Sequence, residues 1–261
     1  MRGVAEARPP LTAGGEAEQW ERHARWWQEH FTNGADPEYE EQIVPLVVDR
    51  MGVLGGSPRP SRVLDLGSGE GQLARALSRL AGIEVTAMDR SRTQLGAAAA
   101  RGEEPRLLVG DAVAIPAASG AFGGVLACLV LEHVADLGGC LGEVARVLRP
   151  GGVFVAVLNH PLVVTPGSGW VDDHMVDPPE QYWQLGPYLN ETSTLETVSE
   201  GVRITFHHRP LSRYVNTAAS LGLLVDHIDE PAPPPGFVAQ SPGFSALETL
   251  PRMMILRFRR S

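Results

Sequence analysis

The stretch VLDLGSGEGQLARAL, from Val63 to Leu77, joins a short apolar run, a glycine-rich loop and an apolar pattern at helical spacing. Glycine adopts positive φ angles and has no Cβ, so such a loop lets the backbone approach a ligand closely. A loop between a strand and a helix N-terminus is typical of sites that hold nucleotide-containing cofactors. The stretch therefore predicts either a dinucleotide site or a site for another adenosine cofactor.

The spacing and the charge of this loop disfavour a dinucleotide. The dinucleotide fingerprint G-x-G-x-x-G requires a third glycine where this sequence has Gln72. Asp65 lies at the end of the predicted strand and Glu70 lies in the loop, and both carboxylates would repel a pyrophosphate. The same charges suit a cofactor with an ammonium and a sulfonium group but no phosphate, such as S-adenosylmethionine.

The sequence around the loop alternates between strand and helix patterns. Mostly apolar strand patterns are separated by helical patterns of about ten residues, which predicts a parallel sheet covered on both faces. Two helical patterns precede this region, and Pro45 predicts a kink or break in the second of them. A segment without clear period runs from His160 to about Pro210, and a helix capped by Ser212 and two closing strands follow it.

Several motifs in order resemble those of class I S-adenosylmethionine-dependent methyltransferases. VLDLGSGEG (63–71) is similar to the first motif of that family, and Asp89 ends the second predicted strand. GDAVAIP (110–116), CLVLEHV (128–134) and LRPGGVFVAV (148–157) follow in the family's order. The resemblance implies an α/β, three-layer Rossmann-like fold with a mostly parallel seven-stranded sheet and a final antiparallel strand. N-terminal helices and a lid insertion after strand five complete the expected fold.

The family resemblance also implies a set of residues that bind S-adenosylmethionine. Asp89 matches the acid that binds the ribose hydroxyls, and Asp111 and the backbone of Ala112 match the adenine contacts. The full predicted cofactor set is Asp65, Gly67, Ser68, Gly69, Gln72, Asp89, Arg90, Gly110, Asp111, Ala112, Cys128 and Leu129.

The chain is expected to form a single domain over residues 1–261. Its predicted parts are a disordered start (1–15), a helical cap (16–55), a cofactor-binding core (62–158), a substrate lid (159–210), and a C-terminal helix with closing strands (211–261). The whole chain also resembles a group of actinobacterial methyltransferases in WWQEHFTNGADPEYEEQ (26–42), LNHPLVVTPGSGW (158–170) and HHRPLSRYVN (207–216). That second resemblance implies no substrate.

Composition narrows the class of partner. The 261 residues carry a net charge of −9, which disfavours nucleic acid as a partner because nucleic-acid binders usually present a basic face. We predict a cytoplasmic protein, since the start of the chain has no signal-peptide pattern and no apolar stretch is long enough to cross a membrane. Two cysteines without metal-like spacing give no disulfide framework. The oligomeric state is left open.

Histidines and aromatic residues are the candidates for binding an acceptor molecule and for catalysing its methylation. His133, His160 and His208 are the predicted catalytic residues, each with an alternative structural role. The predicted substrate residues are Trp27, Tyr39, His174, Tyr182 and Trp183, with core packing of the lid or the helices as the alternative. The acidic run around His174 is interpreted as a solvated loop, so no metal is expected.

The function expected from these features is methyl transfer from S-adenosylmethionine to a small molecule. One alternative is a domain that binds the cofactor without catalysis, as a sensor or assembly partner. The other is an NAD-dependent oxidoreductase, which the short glycine spacing disfavours. A flat, acidic acceptor such as a phenol or carboxylate is suggested by the histidines beside aromatic residues.

Overall fold

The structure is a computed structural model that describes residues 13–32, 35–52, 61–102, 105–178, 180–240 and 248–261. Most of the start that the sequence predicts to be disordered, residues 1–12, lies outside the described residues, as does the predicted break at Asn33 and Gly34. No helix in the described ranges is both long and apolar enough to span a bilayer.

Eleven strands are present in the described residues. In chain order they are β1 (Ser61–Leu66), β2 (Ile83–Asp89), β3 (Arg106–Val109), β4 (Phe122–Cys128), β5 (Leu148–Asn159), β6 (Gly169–Asp173), β7 (Glu180–Gln184), β8 (Thr192–Ser199), β9 (Val202–His208), β10 (Leu223–Asp229) and β11 (Met253–Arg260).

Seven of these strands form one sheet in the order β10-β11-β5-β4-β1-β2-β3. The pairs among β1 to β5 are parallel, whereas β11 runs antiparallel to β5 and to β10. The predicted sheet with a final antiparallel strand is therefore confirmed. Because β1 lies between β2 and β4, the loop after β1 leaves the sheet where the direction of the crossover connections reverses, which is where open α/β sheets bind ligands.

Helices pack on both faces of this sheet. They are α1 (Ala13–Phe31), a π-helical turn (Tyr39–Ile43), α2 (Val44–Gly52), α3 (Gln72–Ser78), α4 (Arg92–Ala100), a 3-10 turn (Leu131–His133), α5 (Leu137–Val147), α6 (Pro161–Val164), α7 (Leu211–Ser220) and α8 (Pro235–Gln240). Alternate residues of β5 face opposite sides of the sheet, as the strand period requires. Phe154, Ala156 and Leu158 join the core with α5 and α7, while Val153, Val155 and Val157 join the core with α2 and α3.

The second N-terminal helical segment begins and breaks where the sequence predicts. The Asp36 carboxylate accepts a hydrogen bond from the Glu38 backbone N at 2.9 Å, which caps the segment. The segment changes from a π-helical turn to α2 at Val44, one residue before Pro45. A proline has no N–H to donate and clashes with the preceding turn, so the regular helix restarts there.

Two predictions about the C-terminal half are wrong. The segment from His160 to Pro210 is not aperiodic in structure, because it forms the antiparallel hairpins β6–β7 and β8–β9. Ser212 does not cap α7, which begins at Leu211 after Pro210. The Leu211 backbone N instead donates to the Tyr188 hydroxyl at 2.9 Å, so a residue of the inserted segment satisfies the helix start.

Candidate active site

The glycine-rich loop after β1 forms the floor of a cavity at the carboxyl ends of β1, β2 and β4. Gly67, Gly69 and Gly71 have φ angles of +70°, +54° and +80°, which favour glycine. A Cβ on Gly67 would lie 2.5 Å from Cγ2 of Val130, so the loop packs closely on the turn after β4. A Cβ on Gly69 would meet its nearest atoms only at 4.0 Å, so this glycine borders open space.

All of the predicted cofactor-binding residues line this one space, which we call the first cavity. Its walls come from the ends of the sheet strands, the glycine loop, α1 and the turn after β4. The predicted residues on its walls are Asp65, Gly67, Ser68, Gly69, Gln72, Asp89, Arg90, Gly110, Asp111, Ala112, Cys128 and Leu129. The structure brings them together, and their individual roles toward a cofactor stay predictions.

Asp65 gives the first cavity its negative charge. Its side chain is 2% exposed, and Oδ2 has no hydrogen-bond partner among the residues that the structure describes. Burial and the nearby charge of Asp89 raise the pKa of Asp65 to about 7. A buried carboxylate with an unsatisfied oxygen favours a cationic partner, and the ammonium group of S-adenosylmethionine has the required charge.

Asp89 is held in place by backbone groups around the loop. Its Oδ2 accepts from the Gly69 N at 2.8 Å, and its Oδ1 accepts from the Ser91 N at 2.7 Å. Burial raises the pKa of this carboxyl, although these hydrogen bonds oppose the shift. Each carboxylate oxygen can accept a further hydrogen bond, so Asp89 can still bind two ribose hydroxyls.

Glu70 does not contribute the free charge that the sequence suggests. Its buried carboxylate pairs with Arg75 at 2.9 Å and also with Arg101. The two guanidinium groups compensate this charge, so the part of the electrostatic argument that used Glu70 is wrong. Glu70 instead ties the glycine loop to α3, and Asp65 carries the preference for a cation.

Helix α1, in the N-terminal part of the chain, forms one wall of the first cavity. The Glu21 carboxylate accepts from the Ser91 hydroxyl at 2.5 Å and from the Thr93 hydroxyl at 2.6 Å, at the start of α4. Gln28 donates to the Gln94 side chain at 2.8 Å. These bonds place the indole rings of α1 over the glycine loop.

A second cavity adjoins the first. The two share Trp20, Trp27, Leu129 and His133, which we call the junction. Leu129 has a φ of +54°, which is unusual for a residue with a side chain and is found most often at functional sites. The second cavity is otherwise lined by distant segments, including α1, the 3-10 turn, residues 161–168, both strands of the β8–β9 hairpin, and residues 252–253.

His133 is the predicted catalytic residue that the structure places at the junction. Its Nδ1 lies 2.8 Å from the carbonyl oxygen of Thr205. A carbonyl only accepts, so Nδ1 carries the hydrogen and Nε2 carries the lone pair of the neutral ring. The ring packs edge-on between Trp20, at 4.8 Å between centroids, and Phe206, at 4.6 Å.

His208 lines the second cavity but not the first. Its Nε2 donates to the carbonyl oxygen of Tyr188 at 2.9 Å. Its Nδ1 is buried and has no partner within the described ranges. The ring thus presents a fixed hydrogen-bond acceptor in this part of the site.

The structure places His160, a predicted catalytic residue, outside both cavities. Its Nδ1 accepts from the Leu162 backbone N at 3.1 Å, and its Nε2 lies 2.9 Å from a Glu230 carboxylate oxygen. Both ring nitrogens are thereby engaged in capping α6 and in linking it to the end of β10. These contacts support the structural alternative for His160, and its catalytic role stays a prediction.

The predicted substrate residues divide into two groups. Trp27 is at the junction, while Tyr39 lines only the first cavity, where it is buried against Cys128. Tyr182 and His174 are exposed on the β6–β7 hairpin, and Trp183 packs edge-on against Trp170 at 5.8 Å. The residues of this hairpin line neither cavity, so the structure does not bring His174, Tyr182 and Trp183 together with the other predicted substrate residues.

Two further predictions concern reactive side chains. Burial raises the pKa of the Cys128 thiol well above its usual range, so Cys128 stays protonated and is a poor nucleophile. Among the described residues, no group of three or more His, Cys, Asp or Glu side chains is arranged to hold a metal ion.

Sequence reasoning missed several residues of the second cavity. Trp20 had a signal, since it lies seven positions before Trp27 on the same face of α1. Arg209 gave no signal in the sequence, because its role depends on backbone groups of a distant segment. Its buried guanidinium donates to the carbonyl oxygens of Leu131, Val134 and Ala135 at 3.0, 2.7 and 2.9 Å, and so holds the turn that carries His133.

Comparison with known families identifies the core. Residues 64–156 match the family described as "Methyltransferase domain". Over these residues the chain is similar to methyltransferases, in agreement with the resemblance in the sequence motifs. This match to a methyltransferase family favours neither the oxidoreductase nor the non-catalytic alternative.

Relatives of this methyltransferase domain are found among enzymes of quinone biosynthesis. The chain is 38% identical to a demethylmenaquinone methyltransferase of Thermus thermophilus over 133 residues, which cover 49% of this chain and 56% of the relative. It is 34% identical to a ubiquinone biosynthesis O-methyltransferase of Caulobacter vibrioides over 152 residues, covering 56% and 60% of the two chains. The chain thus spans less than two thirds of the length of either relative.

Solved structures show the same fold. An S-adenosylmethionine-dependent methyltransferase from Mesorhizobium loti superposes with a TM-score of 0.70 at 23% identity, over 85% of this chain and 97% of that one. One from Listeria monocytogenes gives 0.67 at 21% identity, over 82% and 97%. At these identities the likeness supports the methyltransferase fold alone.

Proposed function

We propose that this protein transfers a methyl group from S-adenosylmethionine to a small molecule held in the second cavity. The observation that carries the proposal is the junction, where Trp20, Trp27, Leu129 and His133 border both cavities. A methyl donor in the first cavity and an acceptor in the second would meet at these residues. Direct transfer requires such adjacency, because catalysis depends on holding two reactants in line.

The first cavity offers a matching group for each part of the cofactor. Oδ2 of Asp65, which lacks a partner in the described part of the chain, would accept from the ammonium group. Asp89 would accept from the ribose hydroxyls, and Asp111 with the backbone of Ala112 would contact the adenine. The open space beside Gly69 lets the backbone approach without a clash.

His133 is our candidate for the base. When bound, the cofactor supplies a sulfonium methyl group that is already electrophilic, so the protein needs chiefly to position the acceptor and remove its proton. His133 borders both cavities, and the Thr205 carbonyl fixes the orientation of its ring, so the imidazole lies where an acceptor would be held. As the acceptor is methylated, its proton would pass to the His133 imidazole, and S-adenosylhomocysteine would be the other product.

A small molecule is the best-supported class of acceptor. The relatives named above are quinone-biosynthesis methyltransferases, and the second cavity is lined by many apolar and aromatic side chains, as small-molecule sites usually are. The net charge of −9 further supports a small molecule over nucleic acid. A cytoplasmic location remains a prediction.

Parallel calorimetric titrations with S-adenosylmethionine, S-adenosylhomocysteine and NADH test the first step of the proposal. We expect saturable binding of the two sulfur compounds and none of NADH. Incubation with methyl-labelled S-adenosylmethionine and a fractionated cell extract tests the second step, with label expected in the low-mass fraction. Label confined to protein or nucleic acid would contradict the small-molecule proposal, and cofactor binding without any transfer would favour a non-catalytic role.

A further inference from the structure

Two buried hydrogen-bond acceptors in the second cavity indicate which chemical class of acceptor it takes. One is Nδ1 of His208 and the other is Oε2 of Glu132, and neither has a partner within the residues described. Both side chains line the second cavity, and they are 6% and 5% exposed. Native structures rarely leave such groups unsatisfied, so a ligand is expected to complete them.

The protonation of His208 follows from its neighbours. Its Nε2 donates to the Tyr188 carbonyl oxygen, which cannot donate in return. In the neutral ring, Nδ1 therefore has a lone pair and no hydrogen. A ligand group that completes it must donate a hydrogen bond.

Glu132 also faces the ligand as an acceptor. Its Oε1 accepts from the Asn159 side-chain Nδ2 at 3.0 Å and from the Asn159 backbone N at 3.3 Å. Burial raises the pKa of the Glu132 carboxyl, while these two donors and the nearby Arg209 guanidinium oppose the shift and favour the carboxylate form. Oε2 is left to receive a hydrogen from the ligand.

We propose that the second cavity binds an acceptor with O–H or N–H donors on an apolar, ring-containing frame, and that His208 and Glu132 select it over carboxylic acids. A carboxylate ligand would bring a second anion against buried Glu132 and offer no hydrogen to His208. The aromatic side chains Trp20, Trp26 and Phe206 supply flat apolar surface for the frame. This inference rests on the proposed function, in which this cavity holds the acceptor, and it removes carboxylates from the acceptors suggested by the sequence.

The test uses the full chain saturated with S-adenosylhomocysteine and three probes with one biphenyl frame. Biphenyl-3,4-diol donates two hydrogen bonds, 3,4-dimethoxybiphenyl donates none, and biphenyl-4-carboxylate is an anion. We expect the diol to bind at least about tenfold more tightly than either of the others, as one buried hydrogen bond left unmade implies. Equal or tighter binding of the dimethoxy compound or the carboxylate, or no binding of any probe, would overturn the inference.

Two variants test whether Nδ1 of His208 and Oε2 of Glu132 cause the preference for the diol. His208→Gln is designed to keep a donor to the Tyr188 carbonyl while removing the Nδ1 acceptor, and it should weaken diol binding about tenfold. Glu132→Gln lets the amide oxygen accept from Asn159 and turns an N–H donor toward the ligand, so the preference for diol over carboxylate should shrink or reverse. An unchanged preference in both folded variants would overturn the inference.

The outcome is separable from that of the proposed function. Binding of S-adenosylhomocysteine is measured first in each protein, and we expect it to be unchanged because neither residue lines the first cavity. Loss of that binding in the unmodified protein would count against the proposed function. Normal cofactor binding with the wrong probe preference would count against the present inference alone.

Discussion

The two cavities differ in how their walls are assembled from the chain. The first cavity is built mainly from residues 65–136, where each sheet strand ends at the same edge and contributes one short motif. The second draws on segments as distant as Trp20, Phe206 and Arg252, brought together by α1 and the inserted hairpins. The comparison shows that a site formed by short local motifs can be predicted from the sequence, whereas a site formed by the packing of distant segments cannot.

The largest effect is expected at Gly69, because the first cavity depends on the absence of a side chain at this position. We expect Gly69→Val to abolish cofactor binding, because a β-branched residue is strained at φ +54° and its side chain would enter the open space. Calorimetry with S-adenosylhomocysteine measures the loss. Gly151→Val is the matched control, since Gly151 has φ +73° but lies outside both cavities, and it should bind the cofactor normally.

His133 tests whether the junction joins the two cavities in function. Once an acceptor is identified, His133→Ala should lower kcat by about 10²-fold, the usual contribution of a general base. Cofactor affinity should change little. His174→Ala, on the exposed β6–β7 hairpin, is the matched histidine control and should leave kcat unchanged. An equal loss in both variants would contradict the assignment of His133.

The raised pKa of Asp65 predicts that protein stability and cofactor binding in the first cavity both depend on pH. Its pKa is raised from 3.8 to about 7, so the folded protein without cofactor loses stability as pH rises between these values and the buried carboxyl ionises. An ammonium group requires the ionised form, so cofactor affinity should weaken as pH falls below about 7.

The variant Asp65→Asn separates these two effects. It should raise the melting temperature of the cofactor-free protein at pH 8, because a buried unpaired charge is removed. It should also weaken S-adenosylhomocysteine binding roughly tenfold and flatten its pH dependence. Thermal melts and calorimetry at pH 6 and pH 8 measure both, and a pH dependence that persists in the variant would assign it to another group.

The smallest effect is expected on the β6–β7 hairpin, outside both cavities. Tyr182 is 45% exposed, so Tyr182→Ala should change the acceptor KM by less than about twofold. Phe206→Ala, in the second cavity, should raise that KM several-fold by removing apolar contact. A larger effect at Tyr182 than at Phe206 would mean that the hairpin, rather than β9, forms the acceptor wall.

The sequence by itself determined the mostly parallel sheet with its final antiparallel strand and named twelve residues that line the first cavity. Each depends on short-range patterns: apolar strands, glycines at positive φ, and acidic residues at strand ends. The same local logic failed for Glu70, because one of its two neutralising partners, Arg101, lies thirty-one positions away and neither pairing is visible in the loop motif.

Only the tertiary structure decided which histidines face the site. His133, His160 and His208 look equivalent in sequence, yet their surroundings depend on hydrogen-bond partners 20 to 72 positions distant and, for His160, also on a local cap. A side chain's environment is set by all the segments that pack around it. Sequence patterns reflect only the nearest of those segments, so they identified residues that line the first cavity but not the set that lines the second.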